Sequence, residues 1–366
     1  MNCYSLSGYK STNDPERRNN FTHDSPDVEV QRMKILITAP FHPEYLAHLQ
    51  EQSNVVYENW RETGTLFFDS DDLIQKINSE AVDIFITEAD EVDAEVIKKT
   101  NLKLIASTRG TPRNVDHDAA NNKQIPVIYT SHRNADAVAD LTVAMMLCQA
   151  RKVIEVDRFL RKGEFDIADL EEEEFGQFLT KYEGIELGGL SVGIVGLGAI
   201  GKRVAQRLHL GFGSKILYYD PYVSSNHPVV QATKAQQVPL QKLMQECDMI
   251  TIHTPPLPNT EELIGETEFQ LMKPTAHFFN LARSYCINED ALYNALKTQK
   301  IAGAGLDVFD DEPVDSDNRF LEFDNVTVMP HFGGNTRDVI RHQSRIITEE
   351  VLRFLENKPL KNIWNP

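Results

Sequence analysis

The 366-residue chain has four cysteines, two tryptophans and no apolar run approaching the roughly 18 to 20 residues that span a bilayer. Cys3, Cys148, Cys247 and Cys286 stand far apart, with no CxxC or CxH spacing. That argues against a disulfide framework or a zinc site, and no metal is expected; a reducing cytoplasm fits best. The N-terminus lacks the basic start and apolar run of a secretory signal. Positive charge is scarce as well, because 37 Lys and Arg face 55 Asp and Glu for a net charge of −18. Such a field repels nucleic acid and anionic membrane, so neither is an expected partner. An anionic substrate would need a local cluster of Arg or Lys set against that background.

What is present is a chain long enough for two domains, each with its own core. Residues 1–32 are polar and without period, and read as a disordered extension. From Met33 short apolar runs alternate with helix-length stretches: Lys34 to Thr38, Asp83 to Thr87, Lys103 to Ser107 and Pro126 to Tyr129. This alternation implies parallel βαβ units. A long helix is expected over 134–151, with Val138, Leu141, Met145 and Cys148 spaced as one buried face. The acidic stretch at 169–175 reads as a solvated loop or helix. A second strand series follows, Ser191 to Val195, Lys215 to Tyr219, Asp248 to His253, Ala276 to Asn280, Gly303 to Val308 and Val326 to Met329. Six strands with intervening helices suit a doubly wound sheet.

The stretch VGIVGLGAIGKRVAQRL at 192–208 reads as strand, glycine turn and helix. Gly196 permits the turn, Gly198 lets backbone approach a pyrophosphate, and Gly201 lets helix and strand close. Ala199 and Ile200 open the helix, whose N-terminus offers free N–H groups and a favourable dipole to phosphates. The next strand ends in Asp220, nineteen residues beyond Gly201. A carboxylate there accepts ribose hydroxyls and repels a 2′-phosphate, and 221–229 contain no Arg or Lys, so NAD is expected over NADP. The alternative is that Asp220 only caps the strand end before Pro221.

Three later stretches carry chemistry: NLARSYCINEDAL with Arg283, GLDVFDDEPV with Glu312 and MPHFGGNT with His331. Each follows an expected strand, at the end where α/β folds gather ligand loops. A 2-keto acid accepting hydride needs a cation for its carboxylate and carbonyl, a task suited to the guanidinium fork of Arg283. It also needs a proton donor, a task suited to His331, with Glu312 orienting the imidazole. Taken singly, each residue also has a structural reading as an ion pair, a loop carboxylate or a core histidine.

In these motifs the chain resembles the D-isomer-specific 2-hydroxyacid dehydrogenases, which include phosphoglycerate, glycerate and hydroxypyruvate enzymes. The resemblance covers essentially all of 33–366, through RNVDHDAANNKQIPVIYTSHRNADAVADL, GGLSVGIVGLGAIG, YYDPY, HTPPLPNT, NLARSYCINEDAL, IAGAGLDVFDDEP and PHFGGNT in the family's order. It implies an α/β fold of two doubly wound domains. A Rossmann NAD-binding domain at 132–332 is inserted into a flavodoxin-like substrate domain made of 33–131 and 333–366, with the helix around Arg337 to Asn357 crossing back. It implies a catalytic set of Arg283, Glu312 and His331. It also implies cofactor contacts at Thr254, Pro255, Thr260, Ala282, Arg283, Asp307 and His331, with Asp307 on the nicotinamide carboxamide. A homodimer through the cofactor domain, with 134–151 contributing, completes what it implies.

Two positions depart from the family pattern. Ser284 stands where most relatives have glycine, and Arg109, Gly110 and Thr111 stand where relatives have a glycine, a small apolar residue and a glycine whose N–H groups hold the substrate carboxylate. Arg109 therefore reads either as a second cation for an extended or phosphorylated acid, such as 3-phosphoglycerate or a sugar acid, or as a structural ion pair. Hydroxypyruvate and glyoxylate stay open as substrates. With NIWNP as the last residues, no appended regulatory domain is expected. Formate dehydrogenases share the architecture but carry Gln where this chain has Glu. The C-terminal binding protein corepressors also resemble the family, and offer the alternative of an NAD(H)-dependent scaffold with little turnover.

Overall fold

In the computed structural model, residues 32–67, 69–163 and 171–364 are described. The extension expected over 1–32 lies outside them but for Arg32, as does Cys3. The first sheet is built from β1 (Lys34–Ile37), β2 (Asn54–Tyr57), β3 (Ile84–Thr87), β4 (Leu104–Ser107) and β5 (Val127–Tyr129). All pairings are parallel, in the order β2-β1-β3-β4-β5, the flavodoxin-like order. Helices cover both faces, so β3 and β4 are buried at every residue and their sequences read as continuous apolar runs. Alternation still sorts the side chains. Ile35, Ile37, Ile84 and Ile86 join one core, while Leu36, Phe85 and Ile105 join the other with Leu73, Ile77 and Val96.

The second sheet contains β6 (Ser191–Val195), β7 (Lys215–Tyr219), β8 (Gln236–Gln237), β9 (Met249–Ile252), β10 (His277–Asn280), β11 (Gly303–Leu306) and β12 (Val326–Val328). Its order, β12-β11-β10-β9-β6-β7-β8, is parallel throughout and reverses between β6 and β9. A crevice outside the carboxyl ends of β6 and β9 follows from that reversal, as in Rossmann folds.

Two strands escape the sequence reading. β2 is a four-residue edge strand with no buried residue, and β8 is two exposed glutamines. β8 carries no apolar run, and the short run Val55, Val56 and Tyr57 of β2 is passed over in the sequence reading. The helix Ala135–Ala150 also differs from its expected single face. Val138 and Met145 are buried but Leu141 and Cys148 only partly, while Ala139, Thr142, Val143, Met146 and Gln149 are buried too. It is enclosed by both the helix Ala199–Gln206 and the second sheet, so its burial spreads around the cylinder.

From Arg337 to Leu355 a 19-residue helix packs on the first sheet, where Ile347 and Val351 enter the core with Ile35, Ile37 and Leu104. Gln343 Nε2 donates to the Pro40 carbonyl (2.8 Å) and Ser344 Oγ accepts from His42 N–H (2.9 Å). The chain then returns to the edge strand β5, with Trp364 N–H on the Val127 carbonyl. The helices Val153–Lys162 and Glu172–Lys181 carry no buried residue, and the acidic Glu172 to Glu174 form the first turn of the latter. Among the described residues no helix is long and apolar enough to cross a membrane.

Candidate active site

The glycine turn after β6 gives its three glycines three different environments. Gly196 has φ +90°, and a Cβ there would meet the His253 carbonyl at 2.9 Å, across the β6–β9 crevice. Gly201 has its would-be Cβ 2.2 Å from the Gly196 carbonyl oxygen, so only glycine lets helix and turn close. Gly198, at the N-cap of Ala199–Gln206, faces open space. Ala199 and Ile200 are half-buried behind it. An exposed turn of this shape at a helix N-terminus is a cradle for a pyrophosphate.

Beyond it, a cavity of about 300 Å³ is lined by Tyr219, Asp220, Pro221, Gln237, Val238 and Pro239. Asp220 Oδ2 accepts Leu197 N–H (2.8 Å), and Oδ1 accepts the N–H groups of Tyr222 (2.8 Å) and Val223 (3.1 Å). The carboxylate thus braces the glycine turn and the strand end together, while remaining partly exposed at the cavity. On the other side, the Thr254 hydroxyl is buried with no hydrogen-bond partner among the described residues, and its methyl lies 3.0 Å from a would-be Cβ of Gly196. An orphaned donor beside an open turn fits a bound dinucleotide. Thr260 is turned inward, its hydroxyl donating to the exposed Pro255's carbonyl (2.6 Å) and accepting Leu257 N–H (2.8 Å), so it shapes the 254–260 loop.

Arg283 follows β10, Glu312 follows β11 and His331 follows β12. His331 Nδ1 lies 2.7 Å from Glu312 Oε2, and Glu312 Oε1 accepts Phe309 N–H (3.1 Å). A carboxylate acceptor places the proton on Nδ1 and leaves Nε2 without a partner among the described residues. His331 adopts φ +59°, a left-handed conformation costing about 1 to 2 kcal/mol for a side chain of this kind. Buried Asp307 holds it there, for Oδ1 accepts Phe332 N–H (2.7 Å) and Oδ2 accepts Gly333 N–H (2.8 Å). Burial raises the Asp307 carboxyl above the usual range, and those two N–H groups pull it back.

Arg283 is exposed, with Nη1 donating to the Ala282 carbonyl (2.6 Å). Asn280, buried at the end of β10, fixes this turn, its Oδ1 taking Ala282 N–H and its Nδ2 donating to the Arg283 carbonyl, each at 3.0 Å. Desolvation and the charge of Arg113 lower the Arg283 pKa, while Glu312 supports the charged form. Arg113 belongs to the loop after β4, so a cation carried by the first sheet acts on Arg283 of the second. In that loop Arg109, Gly110 and Thr111 are exposed, and the N–H groups of Gly110 and Thr111 have no partner among the described residues. Among the described residues the Arg109 guanidinium is in no ion pair, whereas Arg61 and Arg133 both reach Glu88.

Known proteins similar to this chain point to one family. Residues 143–333 fit the model of the D-isomer specific 2-hydroxyacid dehydrogenase NAD binding domain. A Bacillus subtilis protein named as a 2-hydroxyacid dehydrogenase, YoaD, is 34% identical over 90% of this chain and 92% of its own. The chain belongs to the D-isomer-specific 2-hydroxyacid dehydrogenase family. A D-3-phosphoglycerate dehydrogenase from Methanocaldococcus jannaschii is 33% identical over 91% of this chain, which spans only 59% of that relative's length. Among solved structures, the D-mandelate dehydrogenase of Rhodotorula graminis superposes with TM-score 0.77 and 26% identity, covering 92% of this chain and 98% of that one. The family's α/β fold with a Rossmann domain, an NAD(H) cofactor and an oxidoreductase activity on small 2-hydroxy or 2-keto acids therefore hold for this protein.

Sequence reasoning missed the residues that position this dehydrogenase's loops. Asn280 and Thr130, whose hydroxyl donates to the Thr108 carbonyl (2.6 Å), are ordinary polar residues at strand ends. So is Glu88, which gathers Trp60, Arg61 and Arg133. The only available signal was a polar residue ending an apolar run, which is too common to single them out.

Proposed function

We propose that the protein interconverts a D-2-hydroxy acid and its 2-keto acid, with His331 as the acid–base, Glu312 as its orienting carboxylate and Arg283 as the substrate anchor. The 2.7 Å contact between His331 and Glu312 carries this reading. Bound NAD supplies the hydride acceptor, or as NADH the donor. Gly196, Gly198 and Gly201 would hold its pyrophosphate, Asp220 its ribose, and Thr254 with the 254–260 loop would flank it. His331 Nε2 gives a proton to the oxygen that becomes hydroxyl, or takes it in the reverse direction. Arg283 offers its fork to the carboxylate and carbonyl, joined by the N–H groups of Gly110 and Thr111. Asp307 acts by fixing the His331 loop, and its remaining lone pairs are free for the nicotinamide carboxamide. Glyoxylate, hydroxypyruvate and 3-phosphohydroxypyruvate all fit this set.

On the same reading, 33–131 with 333–366 form the substrate domain and 132–332 the cofactor domain. A homodimer is supported by an apolar trough of about 680 Å³ between Ala135–Ala150 and the end of the nucleotide helix, lined by Val143, Leu147, Leu210 and Phe212. The free thiols of Cys148, Cys247 and Cys286 accord with a cytoplasmic location. The test is NADH oxidation by the purified protein with those three keto acids. Turnover that disappears in His331→Ala supports the reading, and unchanged turnover in that variant overturns it.

A further inference from the structure

Arg283 and Glu312 stand on separate loops, and a buried carboxyl with no part in the chemistry above joins the two. Glu289 opens the helix Glu289–Lys297, six residues after Arg283, and is 8% exposed. The short turn Ser284–Cys286 leads from the arginine into that helix, with Cys286 N–H on the Arg283 carbonyl (3.3 Å) and Ile287 N–H on that of Ser284 (2.8 Å). Asn288 caps the helix, its Oδ1 accepting Ala291 N–H at 2.8 Å, and its own N–H donates to the Ile264 carbonyl (2.9 Å). Glu289 therefore has a fixed base. Two consecutive N–H groups of the loop after β11 go to two carboxylates, that of Phe309 to Glu312 Oε1 (3.1 Å) and that of Asp310 to Glu289 Oε1 (2.8 Å). The first folds the loop on itself, and the second ties it to the helix.

A carboxyl is costly in this place. Asp310 and Asp311 act against its charge, Asp290 follows it in the chain, and Arg319 Nη2, the cation facing it, lies 3.8 Å from Oε2 and is shared with Asp290. An apolar side chain of similar size would avoid that cost but could not accept the Asp310 N–H. We propose that Glu289 is a positioning residue of the proton-transferring pair, holding the 309–312 segment to the helix that follows Arg283 so that Glu312 stays within reach of His331. Both its protonation states can do so, since a neutral carboxyl keeps a carbonyl oxygen as acceptor. They do not do so equally well. Burial first, then Asp310, lifts the carboxyl to about 7. A loop that moves away returns Glu289 to water and to its ordinary range, so the held loop is favoured in acid and loosens as pH rises through about 7. This role rests on the reading of His331 as the acid–base and Glu312 as its orienting carboxylate.

The test compares hydroxypyruvate reduction at saturating NADH between pH 6 and 9 in the wild type, Glu289→Leu and Glu289→Gln. The ring resonances of His331, assigned by their absence in His331→Ala, read its surroundings by NMR without turnover. Glu289→Leu removes the acceptor, and kcat is expected to fall about tenfold, the worth of one backbone hydrogen bond, while KM for the keto acid and NADH affinity keep their values. The His331 resonances should move in that variant. Glu289→Gln keeps an acceptor oxygen without the charge, so it should restore kcat and the resonances at pH 6, and its alkaline fall in kcat should begin at higher pH than in the wild type. A wild-type kcat with unmoved His331 resonances in Glu289→Leu overturns the proposal, as does a raised KM with unchanged kcat. Should Glu289→Leu fail to fold, the alkaline limb of Glu289→Gln decides, and a limb identical to the wild type overturns it. Failure of the wild type to reduce the acid removes the reductase reading, and the His331 resonances then decide the positioning role alone.

Discussion

The amide of Gly333 donates to Asp307 Oδ2 at 2.8 Å, and a methyl group at Gly333 would stand just 2.8 Å from that same oxygen and 3.2 Å from Val138 Cγ2. The two residues therefore fit only as glycine against carboxylate. Their contact fixes the peptide two residues beyond His331, whose φ of +59° needs such support. Gly333→Ala is expected to shift the loop without unfolding the sheet beneath it. A displacement near 1 Å at a reacting group costs about 100-fold, so kcat should fall by about that factor while the melting temperature changes little. Unchanged kcat would show that His331 is positioned by other contacts.

Glu312→Gln keeps an oxygen near Phe309 N–H but removes the charge facing His331 Nδ1. Acid–base assistance contributes about 100-fold or more. A fall of that order in kcat is expected, with NADH binding, followed by its fluorescence, unaltered. Loss of NADH binding in parallel would place Glu312 in the cofactor site instead.

Much of this was legible in the sequence because the catalytic side chains follow strands that are buried on both faces, and so are marked by apolar runs. Arg283, Glu312 and His331 each come within a few residues of such a run, and parallel order alone brings them to one edge. The glycine turn was legible for a different reason, since each of its residues answers a separate steric demand. Arg61 and Arg133 were not legible. Their grouping depends on β2, an edge strand without buried residues, and on Gln343, about two hundred residues distant in sequence. Asp307 was placed in the site, but its two bonds to the His331 loop are visible only in three dimensions.

For the cofactor, Gly201→Ala is expected to be severe because its methyl would fall 2.2 Å from the Gly196 carbonyl oxygen, and backbone at both ends must move. NADH affinity should drop by at least about tenfold, an effect of at least about 1.4 kcal/mol. Asp220→Ser tests the ribose reading. NADH binding should weaken and the preference for NADH over NADPH narrow, whereas an unchanged preference would leave Asp220 as a brace for Leu197, Tyr222 and Val223 only.

Acid should destabilise the protein. Burial pushes the His253 imidazole down to about 3, and burial aided by the charge of Lys152 pushes His277 down to about 4. In the unfolded chain both return to about 6.5. Between those limits the unfolded chain binds more protons, so the stability held above pH 6.5 is lost as pH falls. Glu289 runs the other way. Burial first, then Asp310, lifts it to about 7, so its contribution is lost as pH rises from its unfolded value through that point. Two histidines outweigh one glutamate, and urea midpoints should decline from about pH 7 to about pH 5. The decline should be shallower in His277→Gln, and an equal slope would mean that His277 is protonated alike in both states.

Leu210 is 67% exposed and Phe212 39% exposed, both just beyond the nucleotide helix, and Val143 and Leu147 face them from the helix that leads into the cofactor domain. Isolated exposed leucines are ordinary, but a contiguous apolar trough is costly to leave in water. If a second copy of the chain covers it, Leu210→Asp buries a charge against Leu147 and should convert a dimer into a 41.5 kDa monomer in sedimentation. The exposed Gly198 turn stands at the N-terminal end of the helix Ala199–Gln206 and the trough beyond its C-terminal end, so the same variant should still bind NADH, followed by its fluorescence, as the wild type does. A wild type that already sediments as a monomer would remove the dimer and leave the trough without an occupant.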